Sequence, residues 1–300
     1  MAKSNLSIYS ALAANVLIAA TKFVAGSITN SSSMIAEGIH SLVDTVNQLL
    51  LLYGLKQSRK RPDPLRPFGY GKELYFWSFI VAIMIFGLGG GLSIYQGYIH
   101  ILHPEPLKNP TWNYIVLAFS FVFEGTSLII AIKEFNKTRG NERFWKAVVN
   151  SKDPSSFLVL FEDGAAVLGL SIVFISIFLE HRFNNPHLDG IASVLVGLLL
   201  VVVSLILARE SRSLLMGEGI ADRTARKIRE LVTKDPLITE VKYLFSTYQS
   251  PEEILLVMII TIKDDVDIAE IDEAIEQARD RIKQSYPLIK FIIMQPELKE

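Results

Sequence analysis

Six stretches of the chain are apolar over about the 20 residues that a helix needs to cross a bilayer. They lie near 7–27, 34–56, 74–101, 112–133, 155–180 and 188–208. Past Arg209 the hydropathy falls and the pattern changes. Residues 221–233 have amphipathic helical spacing, with Ile228 and Leu231 facing inward. Thr239–Thr247 and Ile254–Ile262 read as strands, the second (ILLVMIITI) apolar enough to be buried, and Leu288–Met294 gives a third. Between the last two strands, Ile268, Ile271, Ile275, Ala278 and Ile282 recur at helical period across 267–285. DDVD at 264–267 reads as a solvated turn leading into that helix as its cap. The pattern predicts an α-helical membrane protein. A six-helix transmembrane bundle occupies 1–215, and a C-terminal cytoplasmic α+β domain of ferredoxin-like order αββαβ occupies 216–300.

Charge supports the count. The loop between spans 2 and 3 carries Lys56, Arg59, Lys60, Arg61, Arg66 and Lys72. The loop between spans 4 and 5 carries Lys133, Lys137, Arg139, Arg143, Lys146 and Lys152. The other three loops hold Lys108 and Arg182 as their only basic residues. Basic loops therefore alternate, as the positive-inside rule requires of an even number of spans, and both termini are expected in the cytoplasm. The opening residues hold no cleavable signal and no targeting extension, which points to a bacterial inner membrane.

Composition narrows the chemistry. Half of the 300 residues are hydrophobic and cysteine is absent, which excludes disulfides, thiolate metal sites and cysteine nucleophiles. A mean hydropathy of +0.33 fits a polytopic membrane protein with a soluble part. Net charge is only −1, with the acidic excess in the tail, and nothing suggests a nucleic-acid partner. HExxH, GxSxG and Gly-rich GK[ST] loops are all missing, so protease, hydrolase and ATPase readings lack support. In span 3, GLGGGLSIYQG places Gly87, Gly89, Gly90, Gly91 and Gly97 where close helix packing is the expected role.

The candidate chemistry sits inside the spans. In span 2, Glu37, His40, Asp44 and Asn47 follow one another at offsets of three and four, a single polar stripe on an apolar helix. A carboxylate at bilayer depth costs roughly 2.5–3.5 kcal/mol on insertion scales, so it marks a partner or a task. Span 5 carries the adjacent pair Glu162 and Asp163. One histidine with two or three carboxylates suits Zn²⁺ and accepts Fe²⁺, Co²⁺ or Mn²⁺ less selectively. His40, Asp44, Glu162 and Asp163 are accordingly the expected metal ligands, with Glu37, Asn47 and Glu124 as auxiliary candidates. The competing reading is that these groups only hydrogen-bond to one another and tie helices together. Glu37 fits an entry ligand or a helix partner equally, and Glu124 fits a proton relay, a ligand or a tie. Asp189 is explained by the dipole at the start of span 6. His100, His103, His181 and His187, at or beyond the outer ends of spans, read as interfacial residues.

With HSLVD in span 2, RPFGYGKE in the basic loop and an aspartate in span 5, the chain resembles the cation diffusion facilitator family over essentially its full length. AEGIHSLVDTVNQ, RPFGYGKELYFWSFI and LFEDGAAVLG are most like its zinc transporter 9 branch. The resemblance implies a homodimer that exchanges cytoplasmic Zn²⁺, or a related divalent ion, for protons, with no prosthetic group and no enzymatic activity. It places the transport site between spans 2 and 5, with His40, Asp44 and Asp163 at ligand positions. Three departures stand out. Val159 occupies the place where many members have His or Asp, which makes Glu162 the substitute ligand or leaves room for water. Tyr70 replaces the histidine of a loop motif that often reads FGHGK. The tail has no histidine. Alternatives are a Mn²⁺ or Fe²⁺ exporter of the same family, a non-transporting membrane scaffold, or an intramembrane metalloenzyme using Glu162 or Glu37 as base.

Overall fold

The computed structural model describes residues 2–140, 143–264 and 266–298. The chain separates into two compact units, one made of the residues up to Gly54 with Phe76–Ser211, the other of Leu55–Tyr75 with Arg212–Glu300. The tail unit thus begins a few residues before the expected position 216, and the basic loop after span 2 groups with it.

The first unit is helical. Span 1 is α1 (Ala2–Thr29) and span 2 is α2 (Ser32–Ser58). Span 3 is α3 (Glu73–Met84), a π-helical segment Ile85–Gly91, and α4 (Leu92–Leu102). Spans 4, 5 and 6 are α5 (Thr111–Thr138), α7 (Pro154–Phe183) and α8 (His187–Met216). A short α6 (Phe144–Asn150) lies in the basic loop, too brief to leave a periodic signal in the sequence. Among the described residues four helices are long and apolar enough to cross a membrane: Glu73–Leu102, Thr111–Lys137, Ser156–Phe183 and His187–Met216. The shorter apolar run Asn15–Thr29 lies in α1. Helix α2, about 40 Å long at 1.5 Å per residue, is kept out of that group by its polar stripe.

Glycine packing explains part of span 3. A Cβ on Gly97 would stand 2.6 Å from the Gly190 carbonyl oxygen and 2.7 Å from the Val194 nitrogen of α8. One on Gly90 would stand 2.7 Å from a Val201 methyl and 3.0 Å from the Gly197 carbonyl oxygen. Backbone therefore meets backbone at two points seven residues apart on each helix, an approach that only small residues permit. Gly87 faces open space, so packing does not account for it.

The second unit folds as α9 (Asp222–Val232), β1 (Ile238–Ser250), β2 (Glu253–Ile262), α10 (Ile268–Ser285) and β3 (Ile289–Leu298), the expected αββαβ. The sheet runs β1-β2-β3, antiparallel between the first pair and parallel between the second. Alternation along β2 buries Ile254, Leu256, Met258, Ile260 and Ile262 against Ile228, Val232, Ala278 and Ile282 of the two helices. Asp267 caps α10 in a reciprocal box with Glu270, the role expected of the DDVD turn, whose Asp265 lies outside the described residues. On the sheet's other face Tyr243, Phe245 and Ile293 are exposed, the first two with rings stacked 6.1 Å apart.

Candidate metal centre

Helix α2 carries the polar stripe into the bundle. His40 is 2% exposed, and its Nδ1 stands 3.4 Å from Asp44 Oδ1 one turn on, within ion-pair reach but without a hydrogen bond. Among the described residues both His40 nitrogens and Asp44 Oδ1 lack hydrogen-bond partners. Buried polar atoms are ordinarily paired, so three such atoms within one turn of α2 are unusual.

Helix α7 supplies the facing acids. Adjacent residues point about 100° apart around a helix, and Glu162 and Asp163 divide accordingly. Glu162, 7% exposed, accepts a 2.7 Å hydrogen bond from Asn47 Nδ2 of α2. Asp163 accepts a 2.8 Å bond from the Ser127 hydroxyl of α5. A cavity of about 30 Å³ lies between them, lined by Asp44, Glu124, Glu162 and Asp163 together with Ser41 and Ser127. That volume admits one water-sized particle. Acids from α2, α5 and α7 thus meet around one small void.

The ligand set differs in detail from the expected one. His40 is beside Asp44 and outside the cavity lining, whereas Glu124 lies in it. Among the described residues no three His, Asp or Glu side chains stand close enough to share one ion. The bonds from Asn47 and Ser127 each take one carboxylate oxygen, Glu162 Oε1 and Asp163 Oδ2, and a ligating carboxylate can keep such a bond while it coordinates through its other oxygen. Asn47 is placed as a hydrogen-bond donor to Glu162. Val159 is exposed and absent from the cavity wall.

Glu37 belongs to another structure. It is fully buried and pairs at 3.0 Å with Lys22 of α1, also fully buried, whose ammonium donates in addition to the Ser41 hydroxyl at 2.8 Å. Gly169 of α7 leaves the room: a Cβ there would stand 2.5 Å from Glu37 Oε1. Of the two roles open to Glu37, helix partner is the one its contacts fit. Lys22 escaped the reading of the sequence, although a lone lysine within ALAANVLIAATKFVAG was its signal.

Asp189 is likewise more than a dipole partner of its own helix. Its carboxylate accepts from the backbone N–H groups of Ser32 and Ser33 and from the hydroxyls of Ser31 and Ser33. It caps α2 from the start of α8, satisfying donors that a helix N-terminus leaves open. In the basic loop, Tyr70 donates to Asp63 at 2.5 Å, and its ring lies 4.5 Å from the Arg66 guanidinium. The Tyr70 hydroxyl and then the Arg66 backbone N–H hold the Asp63 carboxyl below the usual range. The residue standing in for the motif's histidine pins the loop.

The fold and site together define a multi-pass helical membrane protein with an acid-lined void inside its bundle. The chain belongs to the cation efflux family: the model described as "Cation efflux transmembrane domain" matches residues 8–216. It is 40% identical over 222 residues to "Proton-coupled zinc antiporter SLC30A9, mitochondrial" of Xenopus laevis, a match covering 73% of this chain and 40% of that protein. The chain spans about two fifths of the length of the SLC30A9 proteins it matches. It is 36% identical over 237 residues to "Metal tolerance protein C4" of Arabidopsis thaliana, covering 78% and 52%. With "Manganese efflux system protein MneP" of Bacillus subtilis it shares 23% identity over 298 residues, covering 95% and 92%.

Proposed function

We propose that the chain is a divalent cation transporter that exchanges Zn²⁺ from the cytoplasm for protons, with His40, Asp44, Glu162 and Asp163 as ligands and Glu124 as auxiliary. The observation that carries this is the acid-lined cavity between α2, α5 and α7, with the unpartnered His40 nitrogens one turn from Asp44. The names of the SLC30A9 relatives, zinc antiporters coupled to protons, support the same cargo. Metal ligands must be deprotonated to bind, so Zn²⁺ and protons compete for the same carboxylates and imidazole. Asn47 and Ser127 hold Glu162 and Asp163 in place through one oxygen each, the outer support that orients a ligating carboxylate.

A second cargo, Mn²⁺, has an observation of its own. The side chains that line the void offer oxygen alone, a donor set that suits harder ions, and MneP is named for manganese efflux. Whether His40 joins the ion decides between them. The alternating basic loops support a placement with both termini on the cytoplasmic face, and the cell membrane of a bacterium is part of this proposal. So is pairing of two copies, which the open apolar face of Tyr243, Phe245 and Ile293 supports.

Proteoliposome flux over Zn²⁺, Mn²⁺, Fe²⁺ and Co²⁺, with and without a pH gradient, tests the reading. Zn²⁺ entry accelerated by an opposing proton gradient is expected. Flux of Mn²⁺ in preference to Zn²⁺ moves the assignment to the second cargo, and no flux of any of the four overturns both.

A further inference from the structure

Helix α1 forms part of the wall of the acid-lined void. Asn15 and Ile18 line it, and the Asn15 side-chain amide donates to Gln48 Oε1 of α2 at 3.1 Å. Lys22 follows Ile18 by four residues, one turn along the same face of α1. Among the described residues it is the one lysine or arginine that is buried. Its ammonium donates to the Ser41 hydroxyl at 2.8 Å, and Ser41 lines the void three residues before Asp44. The lysine thus stands one hydrogen bond behind the wall, and its charge is felt at Asp44 and Glu124. Its partner Glu37 stands farther back, four residues before Ser41 and off the cavity lining, which is about 6 Å along α2. The buried pair is therefore polarised, with its positive end toward the acids.

We propose that Lys22 is a positioning residue of the transport site, a fixed positive charge held against Ser41 that weakens the grip on the cation so that the ion can leave. The inference rests on the transport-site reading given above. Asp44, Glu124, Glu162 and Asp163 surround space for one water-sized particle. Attraction between such carboxylates and a desolvated divalent ion grows as the local dielectric falls. A transporter must also release what it binds. A cation placed behind the wall opposes the cargo's charge without occupying a ligand, and the cargo does not displace it. Glu37 and Ser41 keep Lys22 in that place at 3.0 and 2.8 Å.

Zn²⁺ titration calorimetry of the full chain in detergent tests this, with Lys22→Met/Glu37→Met, which removes both charges, as the probe. Its dissociation constant should fall about three- to tenfold below wild type, the effect of a positive end nearer than its negative partner at an effective dielectric of about 20. In proteoliposomes the half-saturating Zn²⁺ should fall likewise while the maximum rate does not rise. A pair that only ties helices together gives an unchanged or weaker affinity, and either result overturns the proposal. Asp163→Ala, titrated alongside, checks the site itself. Loss of Zn²⁺ binding there, with wild-type affinity in the double variant, refutes the Lys22 inference alone. Wild-type binding in Asp163→Ala refutes the transport-site reading beneath it. Should the double variant fail to melt cooperatively, Lys22→Gln/Glu37→Gln, which keeps hydrogen-bonding groups on both sides of the pair, takes its place with the same expectation.

Discussion

Lys22→Met should destabilise the helical bundle by about 3–5 kcal/mol, the range for removing one half of a buried ion pair. The lysine and Glu37 are both fully buried, and Lys22 is the cation that meets Glu37 Oε2 while also holding Ser41. Without it the carboxylate, whose Oε1 already lacks a partner, has none on either oxygen. Lys22→Met combined with Glu37→Met removes both charges and should recover most of the loss, since hydrophobic residues of similar volume often replace a buried salt bridge at little cost. Thermal unfolding of the purified protein in detergent reads both, and adding the Glu37→Met single variant closes the cycle that gives the coupling. Equal melting of wild type and Lys22→Met would show that the pair does not support the bundle.

The second large effect is on transport. Asp163→Ala and His40→Ala should each abolish metal-driven proton flux in proteoliposomes while leaving the melting transition close to wild type. Asp163 lines the void from α7, and its removal leaves Ser127 facing an empty position. His40 supplies the imidazole on which a preference for Zn²⁺ rests. Flux at the wild-type rate in both variants removes these residues from the cargo's path. Loss in Asp163→Ala alone, with normal flux in His40→Ala, favours the all-oxygen site and the manganese reading.

Much of this was legible in the chain because bilayer and strand periodicities are strong signals. Each of the six spans falls on helix, span 3 divided by a π-helical segment and span 6 running on to Met216, and ILLVMIITI is the central strand whose alternate residues fill the small core. The polar stripe was legible for the same reason: four polar residues at helical spacing stand out against leucine and valine. What spacing along one element does not disclose is which element lies opposite. Lys22 and Glu37 are 15 residues apart on different helices, and Asp189 caps Ser32 across 157 positions of sequence. Glu162 and Asp163 are adjacent, yet one turns to Asn47 and the other to Ser127. The glycines of span 3 announced close packing, but their partners Gly190 and Gly197 on span 6 emerge only from the fold.

Anomalous diffraction at the zinc edge, from crystals of the full chain soaked in Zn²⁺, tests the central claim most directly. The account predicts a peak within the bundle between α2 and α7, about 2.0–2.2 Å from carboxylate oxygens of Asp44 and Asp163. A zinc-saturated crystal whose anomalous peaks all lie elsewhere would contradict it.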